Sequence, residues 1–224
     1  MALFHEKLLE AKKNGNNFIL INFKSKKVIL KVVEDNDDTV NLLYSLRERF
    51  RDMFATDFVM TKEKTRKWIN ELVLDNPNRI LFTISVENKM IGCIGHGGFN
   101  ENENSSQLDN MMKDPACKIS GIMTTVEKVY LRWMFEFFKL SKITGYLFSD
   151  NERMMSVHYE CGWKLLDTVA IKKKSKNENS VWEISKEKDK DNVERYFNII
   201  ELKKEDLLRN FGPGPRYMAM SFFL

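Results

Sequence analysis

The stretch that decides the fold begins Lys118-Ile-Ser-Gly-Ile-Met-Thr124, continues as a long apolar run and then reads Lys142-Ile-Thr-Gly-Tyr-Leu-Phe-Ser-Asp-Asn151. It ends at Cys161-Gly-Trp163. This pattern predicts a glycine-containing turn, a helix, a strand and a second helix. The second helix is expected to stop at Gly162, because glycine commonly ends helices in the left-handed conformation.

One face of the first predicted helix is apolar. Its large side chains recur at steps of three and four residues, at Val126, Val129, Tyr130, Trp133, Met134, Phe137 and Phe138. This spacing places them on one side of a helix. We therefore interpret the aromatic residues of this run, with Phe135, as core and not as a cofactor-binding surface.

The first turn of the same helix is suited to an anion. Backbone N–H groups over residues 119–124 have no acceptor within the helix and point out of its positively polarised N-terminus. Such a turn can hold a phosphate or pyrophosphate, and Lys118 could add a direct contact. An ordinary loop entering a core helix is the alternative, since one glycine before a helix is common.

The whole stretch resembles the GNAT superfamily of acyl-CoA N-acyltransferases. In that family a Gln/Arg-x-x-Gly-x-Gly/Ala turn holds the coenzyme A pyrophosphate, and an Asn-x-x-Ala-x-x-Leu-Tyr-x-x-x-Gly-Phe helix follows the next strand. Lys118, Gly121 and Met123 stand at the defining positions of the turn. The helix motif is matched without a gap by Asn151, Met154, Val157, His158, Gly162 and Trp163. Two positions differ, because Met123 replaces a small residue and His158 replaces a tyrosine.

The resemblance implies an α/β fold with a mixed, mostly antiparallel sheet flanked by helices. Residues 28–211 would form the acetyltransferase domain, residues 1–27 an added helix and strand, and residues 212–224 an apolar tail. Strand-like runs lie at 18–23, 28–33, 81–86, 90–95, 107–112, 164–171 and 196–202, and helical runs at 39–47, 61–69 and 203–208, the second of them with Thr61 as its expected N-cap. We expect the tail to dock on the domain or on a second subunit, because exposed apolar surface is unfavourable in water.

Composition limits the classes of function. An apolar share of 43% supports a core, while a net charge of +4 is too small for a dedicated nucleic-acid binder. No run is apolar and long enough for a membrane span, and no signal peptide fits the start. Cys93, Cys117 and Cys161 lack zinc-site spacing, so reduced thiols, no metal and a cytoplasmic location are expected. The lysine-rich runs 172–176 and 186–190 are interpreted as solvated loops.

The resemblance assigns acetyl-CoA, as co-substrate, to the strand before the turn, to the turn itself and to the start of the second helix. The residues concerned are Met111, Met112, Lys118, Ile119, Ser120, Gly121, Ile122, Met123, Thr124 and Asn151. An amide at the Asn151 position can donate to the coenzyme's backbone.

Three side chains are candidates for proton transfer. His158 holds the position at which the family often has a tyrosine that protonates the leaving thiolate, and imidazole titrates near neutrality. His96 lies among glycines that are expected to leave its ring exposed over a cleft as a base. Asp109 could orient or deprotonate an amine if it faces the cleft. Each has a structural alternative, as a hydrogen-bonded helix residue, a loop histidine or a strand residue turned away from the cleft.

The acceptor is predicted to be a small amine, and a second copy of the chain is a possible partner. Arg47 and Arg51 could clamp a diphosphate, and Asn110 lies beside Asp109. Residues 46–50, 108–110 and 196–206 resemble the GNAT subgroup that acetylates nucleotide-linked amino sugars. The alternatives are a polyamine, peptide or protein amine as acceptor, or a module that binds coenzyme A without catalysis.

Overall fold

Most of the chain forms helices and strands in the computed structural model, which describes residues 3–13, 18–57, 59–176, 179–185 and 193–211. The helices are α1 Leu3–Lys13, α2 Asp37–Arg49, α3 Lys62–Ile69, α4 Ile122–Phe138, α5 Glu152–Cys161 and α6 Lys204–Arg209. The strands are β1 Phe18–Phe23, β2 Lys26–Val32, β3 Thr56–Asp57, β4 Arg79–Val86, β5 Lys89–Asn100, β6 Ser105–Lys113, β7 Lys142–Phe148, β8 Lys164–Lys176, β9 Asn179–Ile184 and β10 Arg195–Lys203.

All of these strands belong to one ten-stranded sheet with the order β1-β2-β4-β5-β6-β7-β10-β8-β9-β3. Neighbouring strands pair antiparallel except β6 and β7, which are parallel. A parallel pair needs a crossover, and α4 supplies it between these two strands. The predicted fold class, a mixed and mostly antiparallel sheet flanked by helices, is confirmed.

The two faces of the sheet bury two separate cores. Along β4, Ile80 and Phe82 enter the larger core, whereas Leu81 between them enters the smaller one. This alternation follows from the two-residue period of a strand. Helices α2 and α3 cover the smaller core, and α1, α4, α5 and α6 contribute to the larger one. Tyr130, Trp133, Phe135 and Phe138 of α4 are buried, as predicted, whereas Phe137 is only partly buried against the larger core.

Side-chain caps explain where several helices start. Asn36 accepts a hydrogen bond from the Thr39 N–H at the start of α2, and Thr61 accepts one from the Lys64 N–H at the start of α3. Both helices also carry acidic residues in their first turn, which complements the helix dipole. The predicted Thr61 cap is therefore confirmed.

The N-terminal addition packs onto the larger core. Phe4, Leu8 and Ala11 of α1 are buried there, and β1 forms the sheet edge beside β2. Lys12 donates through its Nζ to the carbonyl oxygens of three residues, Val73, Leu74 and Asn76. Burial lowers the pKa of Lys12 to about 8. The helix and strand are present as expected, and the domain boundary at residue 28 stays a prediction.

The lysine-rich run at residues 172–176 was wrongly interpreted as a loop. It continues β8 and pairs with β9 over the register from Ile171–Ile184 to Lys176–Asn179. This strand is stabilised by backbone pairing within the hairpin. Its sequence has no apolar alternation, so its lysine-rich composition did not indicate a strand. The run 186–190 and the tail 212–224 lie outside the described residues, so the predictions made for them stay predictions.

Within the described parts of the chain, no helix combines the length and the apolar character needed to cross a membrane. Over the same residues, no three His, Cys, Asp or Glu side chains form a metal-binding group.

Candidate active site

The sheet splits between β6 and β7. These strands pair only over Ser105–Gln107 and Lys142–Thr144, at their N-terminal ends. Beyond this short ladder the described residues of the two strands have no paired positions. The C-terminal ends of parallel neighbours lie at the same edge of a sheet, so the gap opens at the edge where α4 and α5 begin. A ligand in this gap would meet strand backbone on both sides.

A β-bulge in β6 accompanies the split. Gly95 pairs with Asp109 and Cys93 with Met112, so two residues, Asn110 and Met111, stand opposite one residue of β5. Asn110 has a positive φ of 51° and its carbonyl oxygen accepts a hydrogen bond from the Cys93 Sγ at 3.1 Å. Bulges bend a strand and re-aim its side chains. The bulge therefore turns β6 away from β7.

The bulge also changes which β6 side chains share a face. In a regular strand Asp109 and Met112 would point to opposite faces, whereas here both lie on the face of Cys93. Met112 is buried in the smaller core, and Met111 is half-buried against the larger one. The side chains of residues 109–111 therefore do not alternate as those of a regular strand would. Contact of Met111 or Met112 with the coenzyme stays a prediction.

The start of α4 differs from the helix starts that have a side-chain cap. Its N-cap is Gly121 with φ 76°, no side chain caps it, and no acidic residue lies in its first turn. A Cβ on Gly121 would meet only the Phe23 ring at 3.8 Å, but a φ of this sign is one that glycine adopts without strain. The N–H groups of the first turn are thus left for an anion. The turn fits a pyrophosphate.

The residues of this turn differ in exposure, and binding of the coenzyme by them stays a prediction. Lys118, Ser120 and Gly121 are exposed, whereas Ile122 and Met123 are buried in the larger core. The side chain of Met123 therefore points into the protein. A large residue at this position does not block approach to the backbone.

Asn151 caps α5. Its Oδ1 accepts a hydrogen bond from the Met154 N–H at 3.3 Å, and Glu152 follows in the first turn. Because the cap uses the oxygen of the amide, the predicted coenzyme contact would be made by the amide nitrogen. The helix ends as expected at Gly162, which has φ 97°.

His158 lies in a buried polar cluster, which we call the His158 cluster and which comprises His158, Glu127 and Trp163. The His158 Nδ1 is 2.7 Å from the Glu127 Oε1, and the Trp163 Nε1 donates to the same oxygen at 2.7 Å. Glu127 is fully buried and His158 is 4% exposed. With Glu127 ionised, Nδ1 carries a proton and donates it, which fixes the ring's orientation. One carboxylate oxygen of α4 therefore joins His158 of α5 to Trp163.

His96 occupies a different environment from the one predicted. Its ring is completely buried on the α4 side of β5, and its Nδ1 is 3.0 Å from the Tyr130 hydroxyl. Burial lowers the pKa of His96 to about 3. The expectation that neighbouring glycines expose this ring over a cleft is wrong, because strand alternation turns it inward against α4. This placement does not support a role as base.

Asp109 and Arg47 belong to one charged group on the α2 side of the sheet. Asp109 pairs with Arg79 at 3.2 Å and both are half-buried. Arg47 is 5% exposed, and its guanidinium stacks on Trp68 at 4.1 Å from the ring centre. Burial lowers the pKa of Arg47 to about 10, with Cys93 and Asp109 opposing this effect. Arg47 is thus a buried stacking residue, not part of an exposed helical clamp.

Arg51 and Arg195 each bind an aspartate side chain. Arg195 does so just after the C-terminal end of β7, where the gap between β6 and β7 is open. Arg51 pairs with Asp57 at 2.7 Å, which helps to hold the pKa of that carboxyl below its usual range. Arg195 binds both Asp150 oxygens, donates to the Asp52 carbonyl oxygen, and lies 3.5 Å from the Phe148 ring centre. These contacts join the ends of β7 and β10 to the loop after α2. Arg51 therefore has a protein partner where a diphosphate contact was predicted.

Sequence reasoning missed Glu127, Arg79 and Arg195. Only Glu127 carried a signal, because it falls in register with Met123, Tyr130 and Met134 on the apolar face of α4. A charged residue on such a face is rarely buried without a polar partner. The other two are defined by contacts between distant segments.

Comparison with known proteins agrees with this architecture. Residues 27–164 match the family described as acetyltransferase (GNAT) domain. The spermidine N-acetyltransferase of Vibrio cholerae in complex with CoA and spermine has a TM-score of 0.64 and 15% identity, over 81% of this chain and 98% of that one. A dodecameric structure of spermidine N-acetyltransferase from the same organism has a TM-score of 0.61 and 13% identity, over 81% and 96%.

At these identities the solved structures show a shared fold, and no curated protein matches the chain by sequence. The family match spans more than half of the chain, and it includes the split strands, the α4 start and the His158 cluster. The chain therefore belongs to the GNAT family of acetyltransferases and is an N-acetyltransferase that uses acetyl-CoA.

Proposed function

We propose that this enzyme transfers the acetyl group to a primary amine of a small aliphatic polyamine. Acetyl-CoA supplies the activated acyl group as a thioester. The observation that supports binding of acetyl-CoA is the gap between β6 and β7, which has the uncapped start of α4 at its edge. Similarity to proteins named as spermidine N-acetyltransferases supports the class of acceptor.

A nucleotide-linked amino sugar, the acceptor first expected from the sequence, is less well supported than a polyamine. That expectation came from a resemblance of residues 46–50, 108–110 and 196–206 to one GNAT subgroup, with Arg47 and Arg51 as a possible diphosphate clamp. Arg47 is buried against Trp68, and Arg51 is bound to Asp57. A diphosphate would have to displace these protein partners. The polyamine alternative needs no such change.

The site residues can be given separate roles under this proposal. The first turn of α4, residues 118–124, would bind the pyrophosphate through backbone N–H groups. The β6 backbone beside the bulge would hold the pantetheine arm. Holding the amine and thioester together can itself supply effective molarities of about 10⁵–10⁸ M.

Proton transfer would involve two sides of the split. The imidazole of His158 would supply the proton that the departing thiolate needs from its Nε2, while its Nδ1–H stays bonded to Glu127, and the second proton lost by the amine nitrogen would return to that Nε2. Asp109 would orient the incoming ammonium group and accept its proton, after exchange of its ion pair with Arg79. His96 has no role in this scheme, because its buried ring is neutral at physiological pH.

The number of subunits and the location of the enzyme are further parts of the proposal. One of the similar structures is dodecameric, and a homo-oligomer of this chain is proposed on that basis. The three cysteines are free thiols, which supports a cytoplasmic location. Light scattering of the purified chain would measure the assembly directly.

The acceptor can be identified by turnover of the purified chain. Release of free coenzyme A from acetyl-CoA would be followed with spermidine, spermine, a nucleotide-linked amino sugar and a short peptide with a free N-terminus. We expect acceptor-dependent release with the polyamines and none above the acceptor-free background with the nucleotide sugar. Mass spectrometry of the products should show one added acetyl group.

Two outcomes would contradict the proposal in different ways. Turnover with the nucleotide sugar alone would restore the first expectation for the acceptor and leave the acetyltransferase chemistry unchanged. Failure of the chain to bind coenzyme A at millimolar concentration in calorimetry would contradict the proposed coenzyme site itself.

A further inference from the structure

The N-terminal addition contacts the turn at residues 118–124, the proposed coenzyme-binding turn, through the tip of its β1–β2 hairpin. Strands β1 and β2 are joined by a two-residue loop, Lys24-Ser25, since Phe23 pairs directly with Lys26. Both loop residues have positive φ values, 48° and 65°. These values are typical of the tight type I′ turn that joins antiparallel strands. The tip of this hairpin therefore has a defined backbone position.

Two contacts join the hairpin tip to the start of α4. The Lys24 Nζ donates to the Ser120 carbonyl oxygen at 3.2 Å. Phe23 is buried and lies next to Gly121, where its ring would be 3.8 Å from an added Cβ. The Lys24 ammonium also lies 5.1 Å from the centre of the Phe23 ring. The hairpin thus holds a cation at the turn that is expected to bind the pyrophosphate.

The chemistry of Lys24 suits a phosphate oxygen. An ammonium group has three N–H donors and Ser120 accepts one of them, so the remaining donors can bind an anion. Lys24 is exposed, and the first turn of α4 contains no acidic residue that would neutralise it. In the preceding loop, the Asp114 carboxylate accepts a hydrogen bond from the Ala116 N–H. Lys113 in the same region donates to the Cys117 carbonyl oxygen.

We propose that Lys24 binds the phosphate-bearing end of coenzyme A. The proposal rests on the coenzyme site described above, at residues 118–124. Lys24 lies outside residues 27–164, the segment that matches the family, so the N-terminal addition would supply a coenzyme contact of its own. Both the pyrophosphate and the 3′-phosphate of the coenzyme offer the oxygen atoms that an ammonium group recognises.

The test is calorimetric titration of coenzyme A into Lys24→Gln, Lys24→Arg and a matched control, Lys27→Gln. Lys27 belongs to the same hairpin and is exposed, and its register partner is Asn22, on the face of the hairpin opposite Phe23. Loss of one exposed charge-assisted contact should raise the dissociation constant of Lys24→Gln about three- to tenfold. Lys24→Arg should bind within about twofold of wild type because it keeps the charge. Lys27→Gln should also stay within about twofold, since exposed charges away from the ligand are screened by salt.

Dephospho-coenzyme A, which lacks the 3′-phosphate, separates the two phosphate sources. If the effect of Lys24→Gln disappears with this ligand, Lys24 contacts the 3′-phosphate. If the effect persists, Lys24 contacts the pyrophosphate. Either result agrees with the proposal.

Equal dissociation constants for Lys24→Gln and Lys27→Gln, in proteins with unchanged thermal unfolding, would overturn the proposal for Lys24. That result would leave the coenzyme site and the acetyltransferase function untouched. Absence of coenzyme binding by the wild-type chain would instead overturn the coenzyme site, and the Lys24 proposal with it.

Discussion

His96 and His158 are both buried, but they face opposite kinds of partner. The Nδ1 of His96 lies 3.0 Å from the Tyr130 hydroxyl, whereas that of His158 lies 2.7 Å from the Glu127 carboxylate. A hydroxyl cannot balance the charge of an imidazolium in a buried site, but a carboxylate can. The partner across the contact, and not the residue type, therefore decides which buried ring has a carboxylate beside it.

Removing the carboxylate should give the largest effect. Glu127→Ala leaves the His158 Nδ1 and the Trp163 Nε1 buried without their shared acceptor, which should lower the free energy of unfolding by about 3–5 kcal/mol. Urea unfolding at pH 7 measures this change. Glu127→Gln keeps an acceptor oxygen and should recover part of the loss.

Glu136→Ala is the control for that measurement. Glu136 lies on the same helix and forms an exposed pair with Arg132 at 2.8 Å, so its loss should cost less than about 1 kcal/mol. A Glu127→Ala variant as stable as the Glu136→Ala variant would mean that the buried carboxylate is not the partner that organises His158.

Replacing His158 should affect turnover more than coenzyme binding. We expect His158→Phe to lower kcat by roughly ten- to a thousand-fold with little change in acetyl-CoA affinity, because a proton donor acts on the chemical step. His158→Gln, which can still contact Glu127, separates loss of the proton from loss of packing. His5→Phe on α1 is the control, and an unchanged kcat for His158→Phe would leave His158 as a packing residue.

The smallest effect should come from the titration of His96. Its pKa is about 3 in the folded protein and 6.5 ordinarily, so between these pH values only the unfolded chain binds the proton. Stability should therefore fall as the pH is lowered through this window, by about 1.4 kcal/mol per pH unit from this group. Between pH 6.5 and pH 5, wild type should lose about 1.6 kcal/mol more than His96→Gln, because the full slope is reached only below the unfolded pKa.

The variant Tyr130→Phe tests whether burial or the Tyr130 hydroxyl causes the lowered pKa of His96. Burial is the cause assigned to the lowered pKa of His96, so Tyr130→Phe should keep the acid sensitivity of wild type. Identical pH profiles for wild type and His96→Gln would show that His96 is already accessible to protons in the folded state.

The sequence predicted a helix or strand well where its apolar residues recur with one period along the whole element. The apolar face of α4, the capping residue Thr61 and the terminating Gly162 were all found where the pattern placed them. The sequence did not predict the β8–β9 hairpin, because lysines occupy the end of β8 and give no apolar alternation. Backbone pairing with β9 forms this part of the strand. The environments of His96 and Arg47 were missed because burial depends on which face of the sheet each element covers.

By itself the sequence determined the start of α4. Gly121 and the absence of an acidic or capping side chain in the first turn are local properties, so the uncapped N–H groups of this turn follow from residues 118–124 alone. The motif from Asn151 to Trp163 likewise set the cap, the length and the end of α5.

Only the tertiary structure decided which side chains meet across the site. Glu127 and His158 are 31 residues apart, Arg47 and Asp109 lie on different elements, and Lys24 reaches Ser120 across 96 residues. The bulge at Asn110 and Met111 appears only once β5 and β6 pair. Such contacts depend on strand register and on the packing of helices against the sheet, and neither is encoded in the local pattern around any one residue.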